Sequence, residues 1–373
     1  MRIFHVCDGF NELAELPAEL PPTGFVWVAS GRREFEVGAG ELQAMLTRLG
    51  LGQLVDLHVS DLLNNQLPSH YDYTSWYDLL VFRRLAAGAG STGMFVDDAH
   101  GTAQSARQAL AAIDTSPVGF AVYDRLLITV HPAECQVRDY FIARLTQQAT
   151  AGAQAPSGSE GKPLGPRLPP SPADLMLRVV NHMVDGYLDL RRLLTRQLGY
   201  LQQELLRARS HFDDWQALLE SRNALHQLED ICEDQRSAIQ EWIDALDDWP
   251  VPAEAGAARE REVLRVRSKD VLEHIERVLG HVRRLENSAE GAVQMHFSAQ
   301  SNRTNDIMRT LTVLTAIFMP LNLITGIFGM NFDFLPLVHS TSGLWVVLVT
   351  MTVLAVLLVV YFRRKRYLAD HRH

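Results

Sequence analysis

The apolar run 311–328 carries Thr312, Thr315, Asn322 and Thr325 among its apolar residues, whereas the run 344–362 carries only Thr350 and Thr352 before the Tyr361 at its end. Polar groups within a membrane helix face the bundle interior, so the first run has the character of a wall and the second of a lipid-facing support. Pro320 adds to this, because it donates no backbone hydrogen bond and leaves the carbonyl of Ala316 free for another partner. The first run ends in "GIFGMNFDFLPL", residues 326–337, so the chain leaves it through Gly329, Met330 and Asn331. Taken alone, an asparagine there reads as a helix C-cap. "GAGSTG" at 88–93 fits GxGxxG but stands alone, and no GxxxxGK[ST], HExxH or GxSxG pattern occurs, so no catalytic constellation supports an enzyme.

The elements that must position these groups follow from length and charge. The two runs hold 18 and 19 residues without a charge, close to the ~20 that cross a hydrocarbon core. Arg303 and Arg309 precede the first; Arg363, Arg364, Lys365 and Arg366 follow the second; the 15 residues between contain no Lys or Arg. The positive-inside rule then predicts both termini in the cytoplasm of a multi-pass inner-membrane protein. "MRIFHVCDGFNELAEL" has no apolar signal-peptide core, in agreement with that expectation. Cys7, Cys135 and Cys232 form no disulfide or zinc pattern and read as reduced thiols. A net charge of -9 that includes a basic tail excludes a nucleic-acid-binding surface.

Upstream, residues 1–148 read as an α/β domain. Its strand-like runs are "GFVWVAS", "LVDLHVS", "YDLLVFRRL", "TGMFVD" and "GFAVYDRLLITVH"; the helix-like ones are "AGELQAMLTRLG" and "AQSARQALAAI". A Pro/Gly/Ala/Ser-rich stretch, 149–173, predicts a flexible insertion. Segment 174–249 predicts two long helices interrupted near Ser210, and "DDWPVPAEAG" ends them. From 257 to 328 one helix is expected to run into the first span, followed by an external loop 329–343, a second span 344–362 and a tail 363–373. Val271, Ile275, Val278, Val282, Leu285, Ala289, Ala292 and Ala299 mark a seam along that helix. It faces either copies of itself around an axis or, in its upper part, the chain's own helices.

"TNDIMRTLTVLTAIFMPLNLITGIFGMNFDFLPL", residues 304–337, together with "VVYFRRKRYL", resembles the CorA family of divalent metal-ion transporters, which includes the ZntB-like branch; Gly329-Met330-Asn331 matches its signature. More faintly the likeness extends over the whole chain, including "LVDLHVSDLLNNQLPSHYDYTSWYDLLVF" at 54–82. The resemblance implies a funnel-shaped homopentamer in membrane lipid, with an α/β cytoplasmic domain, long helices and two C-terminal transmembrane helices. It implies Gly329, Met330 and Asn331 as a selectivity filter, with a ring of Asn331 amides offering oxygen to a hydrated cation without trapping it. Its inward positions fall on Asn305, Met308, Leu311, Thr315, Met319 and Asn322, with Met308, Leu311 and Met319 as apolar constrictions. Its regulatory metal site falls on Asp61 and Asp270, where internal metal would bridge subunits and hold the path closed. Asp333 stands where a glutamate is common, Leu337 where an acid is common and Asn322 where a threonine is common, so the outer mouth is less acidic than in many members.

The expected function is a channel or transporter for hydrated Mg2+, with Co2+ or Ni2+ as further ions; the transported divalent cation is also the regulatory one. Proton-coupled Zn2+ movement, with Asp333 or His339 titrating, and a non-conducting membrane-anchored metal sensor are the competing readings. His274 and His281, seven apart on one helix flank, would suit zinc or cobalt.

Overall fold

Short β-branched and aromatic runs separated by turn residues build the sheet that carries the first part of the chain. The computed structural model describes residues 1–87, 113–132, 135–153, 168–206, 212–249, 255–330 and 341–365. Strands β1 (Arg2–Val6), β2 (Phe10–Leu13), β3 (Phe25–Gly31), β4 (His70–Tyr73), β5 (Asp78–Arg83), β8 (Pro117–Val122) and β9 (Leu126–His131) form one sheet in the order β2-β1-β3-β9-β8-β5-β4. β6 (Ala86–Ala87) and β7 (Ile113–Asp114) pair separately. In the large sheet only β3 and β9 run parallel; the other pairs are antiparallel. β3, β8 and β9 are buried along their whole length, as continuous apolar strands covered on both faces must be. Trp27 closes the centre, donating from Nε1 to Thr129 Oγ1 at 2.9 Å across the β3–β9 pairing.

Among the described residues two helices lie in this part: α1 (Arg32–Arg48) and α2 (Asp56–Leu63). "LVDLHVS", expected as a strand, is therefore largely helical. Its alternation was misleading because His58 and Leu62, one turn apart, supply the buried face, while Val55 and Leu57 stay exposed. α2 lies against β8 through Gly119, where a Cβ would stand 2.3 Å from Leu62 Cδ2. Gly119→Val is expected to cost about 1–3 kcal/mol by overpacking, and Gly119→Ala much less, since Leu62 Cδ2 can swing aside. Urea midpoints of the two variants would check this; equal midpoints would contradict it. The runs "TGMFVD" and "AQSARQALAAI" lie outside the described residues, apart from Ile113.

The helical part begins with α3 (Gln136–Ala153), and α4 (Pro172–Asp185) starts from an N-cap at Ser171. Both ends of the stretch expected as an insertion are thus helical, and 154–167 lie outside the described residues. α5 (Tyr187–Leu206) and α6 (Phe212–Asp248) follow. Where two helices were expected there are three, since the chain tightens at Gly186, whose N–H reaches both His182 O and Val184 O. The expected interruption near Ser210 lies outside the described residues. α7 (Ala255–Phe328) is a single 74-residue helix and α8 (Thr341–Arg364) closes the described chain.

The chain forms two compact units, Met1–Gly291 and Ala292–His373. In the first, the α7 seam is covered by the chain's own helices: Val271, Ile275, Val282 and Ala289 are at most 1% exposed. Polar contacts fix its register. Trp242 Nε1 on α6 donates to Ser268 Oγ at 2.9 Å, and Tyr187 on α5 meets His281 Nδ1 at 2.7 Å. In the second unit the seam position Ala299 is exposed.

Candidate ion path and metal-binding groups

The apolar segment of α7 is exposed almost throughout. Met308, Leu311 and Met319 are each at least 60% exposed, Asn305, Thr315 and Asn322 are also exposed, and Val313 is buried. An apolar helix with this much uncovered surface requires lipid or neighbouring helices. The same holds for α8, in which an 18-residue window within Gly343–Arg364 reaches a mean hydropathy of 2.7.

Local hydrogen bonding sets what the polar groups of this helix can offer. Thr312, Thr315 and Thr325 donate their hydroxyl hydrogens to the carbonyls of Met308, Leu311 and Leu321. With its hydrogen tied to its own helix, each hydroxyl presents only acceptor lone pairs outward. That is the polarity a cation or its water shell requires. Pro320 sits inside the helix without ending it. The helix ends at the triplet: Gly329 N–H bonds to Thr325 O at 2.8 Å, and Met330 N–H shortens to the i−3 carbonyl of Ile327 at 3.3 Å. Gly329 does not adopt a positive φ; its lack of a side chain matters because a Cβ would press to 3.0 Å on Thr325 O. Asn331 and Asp333, together with Leu337 and His339, lie outside the described residues.

Asp61 sits on α2 with an 18% exposed side chain, 3.8 Å from His70 Nε2. Asp270 sits on α7, more open at 57%, 3.8 Å from His274 Nε2, whose Nδ1 is 3.4 Å from Asp185. One chain thus gives each aspartate a histidine neighbour. His281 does not share the open flank of His274: it is 7% exposed, bonded to Tyr187, and burial pushes its pKa down to about 4, aided by Arg191 and Arg284. It belongs to the packing of α5 on α7, which removes it from the zinc or cobalt pair expected from spacing.

A group that sequence reading passed over joins α6 to α7. Ligand atoms of His226, Glu229 and Glu286 lie within 4.8 Å of one another. Arg283 donates to Glu229 at 2.6 Å and also to Glu233. The donation from Arg283 to Glu229, then one from Glu286, holds the Glu229 carboxyl below its usual value, while sharing with Glu229 raises Glu286. The His-x-x-Glu spacing at 226–229 was the available signal; Glu286 lies too far along the chain to be joined to it by inspection.

Fold and exposed helices together define a membrane protein with a large N-terminal α/β unit and two C-terminal spanning helices, the first continuous with a long helix of that unit. The sequence pattern of the family described as "CorA-like Mg2+ transporter protein" matches residues 99–364. The chain belongs to that family. It is 29% identical over 201 residues to the cobalt/magnesium transport protein CorA of Thermotoga maritima, covering 52% of each chain. It is 41% identical over 71 residues to the protein of the same name from Methanocaldococcus jannaschii, covering 19% of this chain and 22% of that one. The chain therefore spans about half the length of the first of these curated relatives and less of the second. The structure of the CorA magnesium transporter from Methanocaldococcus jannaschii shares the fold with a TM-score of 0.66 at 19% identity, over 97% of both chains.

Proposed function

We propose that the protein moves hydrated divalent cations, Mg2+ foremost, across the inner membrane along an axis shared by five copies. The observation that carries this reading is the apolar segment of α7, exposed on nearly every side and lined with acceptor-only hydroxyls, which ends at Gly329-Met330 directly before Asn331 in a chain of the CorA-like family. Two spans cannot enclose a water-filled path, so a path requires several chains. Asn305, Met308, Leu311, Thr315, Met319 and Asn322 recur at intervals of three and four and so share one helical face. In this reading that face lines the axis, Met308, Leu311 and Met319 gate by dewetting, and Asn331 receives the ion with its first water shell intact. Both termini lie in the cytoplasm.

Reconstituted flux, measured separately for Mg2+ and Zn2+ with and without a proton gradient, tests the reading. Mg2+ uptake indifferent to the gradient is expected. Zn2+ uptake that requires the gradient, or no flux at all, would overturn it.

Regulation is assigned to Asp61 and Asp270 from different subunits, bridged by the same ion as internal Mg2+ rises. Asp61→Ala with Asp270→Ala is expected to abolish inhibition by internal Mg2+ in the millimolar range while leaving the maximal flux in place. Inhibition that persists unchanged in the double variant would remove this assignment.

A further inference from the structure

The first unit contains a cavity of about 790 Å3 that ion conduction does not use. Its walls come from the β4–β5 hairpin, the β8–β9 turn, the start of α4, the last turns of α6 and the first turns of α7. Two kinds of side chain dominate. The aromatic ones include Tyr71, Tyr73, Trp76 and Trp249, with Tyr73 69%, Trp76 58% and Trp249 38% exposed. The charged ones are acidic, seven carboxylates against the single cation Arg261, which donates to the carbonyl of Asp247.

Two further observations show that this wall lacks a partner. Asp78 is partly buried beside Asp124, and among the described residues its carboxylate accepts from the Tyr71 hydroxyl alone, at 2.7 Å. Burial raises its pKa, the Tyr71 bond opposes the rise and Asp124 adds to it. Tyr123, also in the lining, is 2% exposed, and its hydroxyl has no hydrogen-bond partner among the described residues. Nor do Asp124, Asp248 or Glu260 form an ion pair among them.

A small metal ion does not suit this wall. Among the described residues, no three cavity carboxylates bring ligand atoms within 4.8 Å of one another, so there is no coordination cage. Dispersed negative charge interleaved with aromatic faces instead matches a ligand whose positive charge is spread along an apolar skeleton, its ammonium groups resting on carboxylates and rings while its methylenes cover aromatic surface. We propose that this cavity binds an aliphatic polyamine cation. The ligand bridges the β4–β5 hairpin to the first turns of α7.

Spermidine titrated into the full-length protein by calorimetry, with Mg2+ held at a constant millimolar concentration, tests the assignment. Binding of about one spermidine per chain is expected. Asp124→Asn with Asp248→Asn, both at exposed positions, is expected to weaken it at least tenfold, and Trp76→Leu severalfold, with thermal midpoints unchanged in the absence of ligand. Asp78→Asn, which keeps an acceptor for Tyr71, is expected to weaken it as well. No binding, binding displaced by Mg2+ at equal ionic strength, or binding that survives all three variants would overturn the proposal.

Discussion

Asn331→Ala is expected to lower Mg2+ uptake into proteoliposomes by about two to three orders of magnitude while the protein remains folded and oligomeric. In the proposed pentamer the substitution removes five carboxamides at once. Each contributes a net ~0.5–1 kcal/mol to holding the ion's water shell, so the ring loses about 2.5–5 kcal/mol at the entrance. Because 1.4 kcal/mol corresponds to a factor of ten, the cation's residence at the mouth falls accordingly. Circular dichroism and the elution volume are expected to match the parent protein. Flux within twofold of the parent would show that Asn331 only caps the helix.

The second large effect concerns the α4–α7 junction. Asp174→Ala is expected to destabilise the first unit by about 3–5 kcal/mol. Asp174 is 1% exposed in the first turn of α4, where the helix dipole favours its charge, and its N–H bonds to the Ser171 cap at 3.4 Å. Its carboxylate pairs with Arg178 one turn on, at 2.9 Å, and with Arg267 of α7. Burial already presses the Arg178 guanidinium below its usual pKa, and Asp174 is the group that opposes this. Alanine deprives both guanidinium groups of their shared partner and opens a void between the helices. Urea unfolding of the full chain by circular dichroism would register a lower midpoint. Adding Arg267→Met should restore part of the loss, because an apolar side chain then replaces an uncompensated charge. A single variant within 1 kcal/mol of the parent would show that this junction is held by apolar contact alone.

Much of the candidate site could be read from composition and spacing because membranes impose a one-dimensional constraint. A segment that crosses hydrocarbon must be long, uncharged and internally hydrogen-bonded, and α7 and α8 carry those marks residue by residue. Strands β3, β5, β8 and β9 were legible for a related reason, since strands buried on both faces read as apolar runs between turn signals. α2 was not legible: over eight residues, the apolar positions of "DLHVSDLL" fit a strand period about as well as a helical one, and only packing of Leu62 on Gly119 decides. Gly186 was equally silent, because a glycine in ordinary helical geometry gives no sequence sign of the break it permits.

By itself, then, the sequence determined the two spanning segments and the helix feeding the first of them, since period and charge are properties of the chain alone. Only the tertiary structure decided that the upper seam of α7 is covered by the chain's own α5 and α6, that His281 is buried in hydrogen-bond contact with Tyr187, and that His226, Glu229 and Glu286 converge. It also decided that carboxylates and aromatics far apart in the chain enclose one cavity. The physical reason is that burial and convergence depend on distances between residues far apart in sequence, which no local pattern encodes.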